Sequence, residues 1–411
     1  MNRARGFTAP RVLGFMVLAF AVAPSVALAQ APTGYASIFL DRLPHRDTTE
    51  LRARVFAQEK LDVSEKVRVV ASGFAEGLVA DRGGSTTDAI AEPQDLQIEF
   101  HGKRLSLLAG NARVVWGRLD ELQPTDVVNP LDISRFFFEG RSEARLALPL
   151  LQAKVFAGEK ATLEAVYVPW FRRGRFDRLD EPTSPFEVSP RIPFVDEAPA
   201  RTAANGQGGA RLNVTSGRVD WSVSGYRGFR PFGLYSASGP IELARVYPRF
   251  TMLGADFETV SGPWGIRGEA AAFVRDAFQS ADTPLVRTGQ SFDLGGAIDR
   301  KAGDYRVSGQ VLVHRETYDE IPGAALPASR TDVSLIVSTD RSFARQRYES
   351  RVFGVYNPSS GAGFLRGILT ANLKDNVALE GSLGWFGGSG ADTISRFSDS
   401  DFAYARLKYF F

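Results

Sequence analysis

Apolar and polar residues alternate one by one along most of this chain. Leu51, Ala53, Val55 and Ala57 alternate with Arg52, Arg54, Phe56 and Gln58. Val67, Val69, Ala71 and Gly73 alternate with Lys66, Arg68, Val70 and Ser72, and Tyr305 to Val313 alternates with Arg306 to His314. Val377 to Trp385 repeats the pattern, as do Ala403, Ala405, Leu407, Tyr409 and Phe411 against Arg406 and Lys408. A side-chain period of two is that of a β-strand with unlike faces. Clusters of Gly, Asp, Asn, Ser and Pro separate the runs. No convincing 3.6-residue period appears, which counts against a soluble exported α/β enzyme.

One face of each run is greasy and the other charged. This suits a wall between lipid and a wet interior, so the pattern predicts a transmembrane antiparallel up-and-down β-barrel. The connections alternate in length. Short ones fall at Asp62–Glu65, Gly102-Lys103, Gly158-Glu159, Ser216-Gly217, Ser261-Gly262, Arg300–Gly303, Thr339–Phe343 and Lys374–Asn376. Long ones include Asp81–Glu92, Arg118–Ser142, Arg172–Gly208, Phe229–Arg245 and Phe386–Ser398. Bacterial barrels put short turns in the periplasm and long loops outside, with an even strand count. Counting back from Phe411 finds seventeen runs; a weak one near Gly34–Leu40 makes eighteen, and sixteen is the alternative. Trp116, Trp170 and Trp385 fall before long loops, and Trp221 and Trp264 after short turns. That predicts outer and inner aromatic girdles.

Composition places the barrel. Arg3, Arg5 and Arg11 precede the apolar stretch Val12–Val26 and the small-x-small site Ala27-Leu28-Ala29, which reads as a signal peptide over 1–29. The barrel then occupies 30–411 and lies in the outer membrane. Losing the three arginines takes the formal net charge from +2 to about −1, so nucleic acid is no expected partner. No later stretch has the length of an apolar membrane helix, and the mean hydropathy of −0.13 is compatible with strands that are half polar. With no cysteine, disulfides and thiolate metal sites are excluded.

Charges on the inner face are tolerable only where water or other charges meet them. Alternation assigns to it Arg52, Arg54, Arg68, Glu76, Arg145, Lys154, Glu164, Arg306, Glu349, Arg351, Glu380, Arg406 and Lys408. They either select solutes or stiffen the wall as pairs. The loop Arg118–Ser142 carries Asp120, Glu121, Asp126, Asp132 and Arg135 beside Ile133, Phe136, Phe137 and Phe138. Adjacent phenylalanines are costly in water. They bury either in the barrel mouth, as a constriction, or against the rim. In Arg172–Gly208, clustered arginines either meet lipopolysaccharide phosphates or an anionic solute, or pair with Asp177, Asp180 and Glu181.

Catalysis has little to build on. Only His45, His101 and His314 exist, and no G-x-S-x-G, H-E-x-x-H or phosphate-binding glycine loop appears. No cofactor or metal site is expected. Residues 30–33 lead straight into strands, which disfavours a plugged siderophore receptor.

Val114-Val115-Trp116-Gly117-Arg118 and Gln123-Pro124-Thr125-Asp126-Val127-Val128-Asn129-Pro130-Leu131-Asp132, with Leu253–Glu258 and Arg267–Ala271, resemble a family of uncharacterised proteobacterial outer-membrane β-barrels. That family is porin-like and similar in architecture to the alginate-export barrel. The resemblance implies a conspicuous loop after the fourth strand and supplies neither substrate nor catalytic residues.

These readings converge on a passive channel for small or extended hydrophilic solutes, with the lumen charges and the 118–142 loop setting selectivity. Its expected partners are outer-membrane lipid and lipopolysaccharide, its solutes, and the barrel-assembly machinery acting through Phe411. The alternatives are an export barrel with periplasmic or inner-membrane partners, a barrel hydrolase, and a sealed structural barrel.

Overall fold

The computed structural model describes residues 32–81, 84–176, 186, 193–239, 242–279, 285–321, 326–389, 392 and 394–411. The leader 1–29 and the carboxylates Asp177, Asp180 and Glu181 lie outside them.

Eighteen strands form one antiparallel sheet that closes on itself. In chain order they begin β1 (Thr33–Leu43), β2 (Thr48–Ser64), β3 (Val67–Asp81), β4 (Ser85–His101), β5 (Leu105–Ala112), β6 (Leu148–Ala157) and β7 (Ala161–Val168). A short strand, β8 (Phe194–Glu197), precedes β9 (Gln207–Ser216) and β10 (Val219–Phe229). Two more short strands, β11 (Leu234–Ala237) and β12 (Leu243–Val246), pair with each other, and β12 pairs with β8, in a separate sheet among the outer connections. The wall resumes with β13 (Arg249–Ser261), β14 (Trp264–Gln279), β15 (Val286–Ala302), β16 (Tyr305–Tyr318) and β17 (Ser329–Phe343). It ends with β18 (Tyr348–Asn357), β19 (Ala362–Lys374), β20 (Val377–Gly387) and β21 (Phe402–Phe410).

Alternation in the sequence becomes alternation in space. On β3, Val70, Ser72, Phe74, Glu76, Leu78 and Ala80 are buried toward the lumen, while Val79 is half exposed on the outside. On β21, Phe402, Tyr404 and Arg406 point inward while Leu407 and Tyr409 stand exposed outside. Ile38, Leu40, Leu51, Leu253, Leu294, Val337, Leu365 and Leu383 continue this apolar outer belt. The weak first run is the closing strand. β1 pairs with β21 from Tyr35↔Phe410 to Arg42↔Ala403, and Gly34 and Phe411 exchange backbone hydrogen bonds of 3.0 and 3.1 Å. A Cβ on Gly34 would sit 2.1 Å from the Phe56 carbonyl oxygen, so the seam needs a glycine there.

Several boundaries differ from the sequence reading. Asp81–Glu92 is not a long loop, because β4 starts at Ser85 and pairs with β3 to its outer end. Polar side chains suit a strand that rises above the bilayer, and Pro93 is accommodated where the β3–β4 register shifts between Ala71 and Gly73. The turn placed at Thr339–Phe343 falls at Ala344–Arg347. There Ala344, Arg345 and Gln346 adopt positive φ values of 52°, 57° and 65°. The conspicuous loop follows the fifth strand, not the fourth. Trp116 belongs to no girdle: it is 1% exposed inside the barrel. Trp170, Trp264 and Trp385 stand exposed, and Trp221 is half-buried on the outward face.

The packed core lies within the lumen. Val114, Trp116 and Val128 pack on Tyr226, Phe250, Met252 and Phe273 of the wall. A second cluster joins Phe137 and Phe138 to Phe39, Phe353, Phe364, Phe386, Phe402 and Tyr404.

Candidate functional site

The residues between β5 and β6 run through the barrel rather than over its rim. Asn129 ties their two ends together. Its Nδ2 donates to the carbonyls of Ala112 (3.1 Å) and Leu146 (2.8 Å), and its Oδ1 accepts from the Val114 amide at 2.8 Å. Trp116 follows, its indole Nε1 donating to Glu164 of β7 at 2.8 Å, which satisfies the buried N–H.

The segment then crosses to the far wall. Glu269 of β14 accepts from the Arg118 and Leu119 amides and from the Thr125 amide and hydroxyl. Four donors on one carboxylate satisfy a group that burial alone would make costly. Arg118 pairs with Asp256 of β13, which also takes Arg211 of β9 at 3.0 Å. Asp120 receives Arg267 at 2.6 and 2.9 Å and Ser308 at 3.1 Å. Glu121 meets Arg351 of β18 at 2.5 Å, and Gln310 donates to the Leu122 carbonyl at 2.8 Å.

Asp132 then caps helix α1 (Ile133–Glu139), accepting from the Arg135 amide at 3.1 Å. Arg175, from the connection after β7, holds the same carboxylate at 2.6 Å and Glu92 at 3.0 Å. Phe137 and Phe138 seat α1 in the aromatic cluster, with the Phe137 ring 4.9 Å from Phe386 and 5.0 Å from Phe364. Burying each ring contributes roughly 2 kcal/mol. Phe136 stays half-buried. Glu139, the last helical residue, accepts from both Arg54 terminal nitrogens at 2.8 Å and lies 3.4 Å from Arg406. Arg54 in turn meets Glu76 at 2.5 Å, and Arg406 meets Glu380 at 2.7 and 2.9 Å. Gly140 turns the chain at φ 95° into α2 (Arg141–Ala144), and Arg141 and Arg145 share Asp126 at 3.1 and 2.7 Å.

Electrostatics separates the carboxylates of the segment. Burial opposes ionisation of Glu139, but Arg54, Arg135 and Arg406 outweigh it and hold the carboxyl well below the usual range. Burial also opposes ionisation of Asp120, and Arg267 holds it low. Glu121 goes the other way: burial pushes its carboxyl up, Arg351 compensating only in part.

The remaining residues singled out from the sequence lie as follows. Arg52 meets Glu50 at 2.5 Å and sits over the Phe39 and Phe138 rings, and Arg135 lies 4.3 Å from the Phe74 ring. Arg68 pairs with Asp62 at 2.7 Å on the inner rim, and Arg306 with Asp299 at 3.3 Å. Glu349 stands exposed near the inner end of β18. Sequence reasoning missed Glu139, Arg267, Glu269, Asp256 and Arg366. Arg366 donates to the Phe138 carbonyl at 2.5 Å and the Tyr404 hydroxyl at 2.6 Å. Inward parity on β13, β14 and β19 was the available signal for the wall residues. The i, i+4 spacing from Arg135 was the signal for Glu139.

Two solvent-reached cavities flank the segment. One, of 470 Å³, lies between α1, α2 and the β16–β19 wall, with Arg141, Arg306, Arg351 and Arg366 facing Asp120, Glu121 and Glu139. The other, of 420 Å³, is lined by Lys60, Arg68, Asp95, Glu99 and Arg113. Both border Ser142 and Arg145.

The histidines are engaged elsewhere. His314 has Asp293 on Nδ1 at 2.6 Å and Glu316 on Nε2 at 3.1 Å, so neither ring nitrogen is open to a nucleophile. His101 meets Glu99 at 3.0 Å, and His45 meets Asp401 at 3.3 Å.

A closed eighteen-strand barrel, apolar outside and charged inside, with a chain segment across its bore, is a porin-like β-barrel. No family model and no curated protein matches the chain. Among solved structures it is similar to OccK5 (OpdH) of Pseudomonas aeruginosa, at 10% identity and a TM-score of 0.53 over 92% of this chain and 96% of that one. OccAB4 of Acinetobacter baumannii aligns over 94% of this chain and all of its own, at 11% identity and a TM-score of 0.51. OccAB3 of the same organism aligns over 92% and 98%, at 9% identity and 0.52. The likeness is one of fold.

Proposed function

We propose that this protein is an outer-membrane channel for small hydrophilic solutes, narrowed by the segment between β5 and β6. The observation that carries this is the pair of charged cavities that both border Ser142 and Arg145 inside a closed, lipid-belted wall. A solute passing there exchanges water for Arg141, Arg351 and Arg366 on one side and Asp120 and Glu121 on the other, so charge and size both matter. The chain reaches the membrane through its leader, cut after Ala29, and is inserted by the barrel-assembly machinery through its last strand. Purified protein in planar bilayers gives discrete conductance steps; silence across voltage and salt overturns the proposal. The export reading, on the pattern of the alginate-export barrel, has less support, since a polymer needs a wide bore and here the segment is tied to opposite walls. Co-purification of inner-membrane or periplasmic partners, with no conductance, would favour it.

A further inference from the structure

We propose that Arg227, Arg249 and Arg275, on the outside of the barrel, form a binding site for the phosphorylated headgroup of a lipid in the outer leaflet. The inference rests on the outer-membrane placement and not on conduction.

These arginines border a groove of 490 Å³ across the outer ends of β10, β13, β14 and β15. They face away from the lumen. Their strand neighbours Tyr226, Phe250 and Asp276 are buried, inward residues, and Arg227 and Arg275 are exposed. Register puts two of them in one row: Arg227 pairs with Thr251, and Thr251 with Arg275. Two strand spacings separate them by about 10 Å, with only a threonine between. A β-bulge between Thr251 and Met252 leaves Val274 unpaired and exposed beside Arg275. Arg249 lies over the Phe229 ring at 4.1 Å and donates to the Ala204 carbonyl at 2.6 Å, contacts that orient it without neutralising it. Arg227 and Arg275 have no ion pair among the described residues.

The nearby acids do not balance this charge. Asp276 points inward and is held by Arg230. Asp319, at the far edge of the groove, takes the Thr288 hydroxyl. The level of the row decides the occupant. Leu253, two residues deeper on β13, belongs to the exposed apolar belt, as does Val223. Two residues are about 7 Å along a strand. The guanidinium groups therefore stand at headgroup height directly above an acyl-chain surface. Paired guanidinium forks are suited to phosphate oxygens. A free phosphate would use the arginines alone, whereas a phosphorylated lipid uses them together with the belt below.

The test uses the folded full-length barrel in detergent micelles and a fluorescent diphosphorylated lipid A. Wild type binds it; Arg227→Gln with Arg275→Gln weakens binding about tenfold or more, since two charge-assisted contacts are lost. Arg341→Gln, which removes an outward arginine over Tyr305 and Phe343 at the opposite rim, leaves binding unchanged. The same lipid without phosphates binds wild type about tenfold more weakly, a comparison needing no variant. Inorganic phosphate at equal concentration does not displace it. Equal binding by the double variant, equal binding of the dephosphorylated lipid, equal loss in Arg341→Gln, or displacement by inorganic phosphate each overturns the assignment.

Discussion

Glu139 receives both terminal nitrogens of Arg54 at 2.8 Å, joining the last residue of α1 to the second strand of the wall across 85 positions of sequence. Both side chains are more than nine-tenths buried. Arg406 completes the contact from the other side of the β1–β21 seam.

Removing that carboxylate leaves Glu76 as the acid paired with Arg54 among the described residues. Breaking a buried pair from one side costs about 3 kcal/mol or more. Glu139→Gln is therefore expected to lower hydrogen-exchange protection in α1 about 100-fold, while the wall strands keep theirs. The same variant gives noisier and larger single-channel steps. Unchanged protection in α1 refutes the tether.

The two carboxylates at opposite ends of the crossing differ in pH response. For Glu139 the folded value is depressed. Its contribution is complete above the unfolded carboxylate range and disappears only as pH falls through a value well below it. For Glu121 the folded value is raised, so its ionised form opposes folding fully above that value, and the opposition fades as pH falls from it to the unfolded carboxylate value. Mild acid thus removes the Glu121 charge while Glu139 stays ionised. Reversal potentials in a salt gradient should shift toward anion preference as pH falls through the raised Glu121 value. Glu121→Gln should show the shifted value at every pH.

Phenylalanines inside and outside the wall should behave differently. Phe137→Ala opens a cavity in the lumenal aromatic cluster and costs roughly 3 kcal/mol. Phe257→Ala, on the lipid face, loses only the transfer of the ring from water to lipid, roughly 2 kcal/mol, and leaves no cavity because lipid fills the space. Urea midpoints of the refolded barrel compare the two, and equal shifts contradict the interior packing of α1.

The mature protein should begin at Gln30. N-terminal sequencing of chain isolated from outer membranes decides this, and a start at Met1 removes the cleaved leader from the account.

The wall was legible because lipid outside and charge inside act on every second residue, so Leu379 and Glu380 or Val307 and Ser308 declare their faces locally. Where the bilayer stops is not written in that code. Ser85–Glu92 continues as strand above the membrane, where both faces meet water, and so looked like loop. The three phenylalanines announced burial but not a site, since Phe137 packs on Phe364 and Phe386, more than 200 positions away. Trp116 obeyed the spacing of a girdle residue yet was drawn inward by Glu164. Partners that meet only after closure, such as Glu139 with Arg406, leave no local signal.

Asn129 gives the crossing segment a clasp of its own, binding the Ala112 and Leu146 carbonyls with one amide. The stretch from 113 to 147 is thus closed at its neck by a single side chain. Between Arg118 and Ser142 the segment is held a second time, by the wall partners of Asp120, Glu121 and Glu139. Neck and wall contacts are separate fastenings, so loosening one leaves the other to keep the segment in the bore.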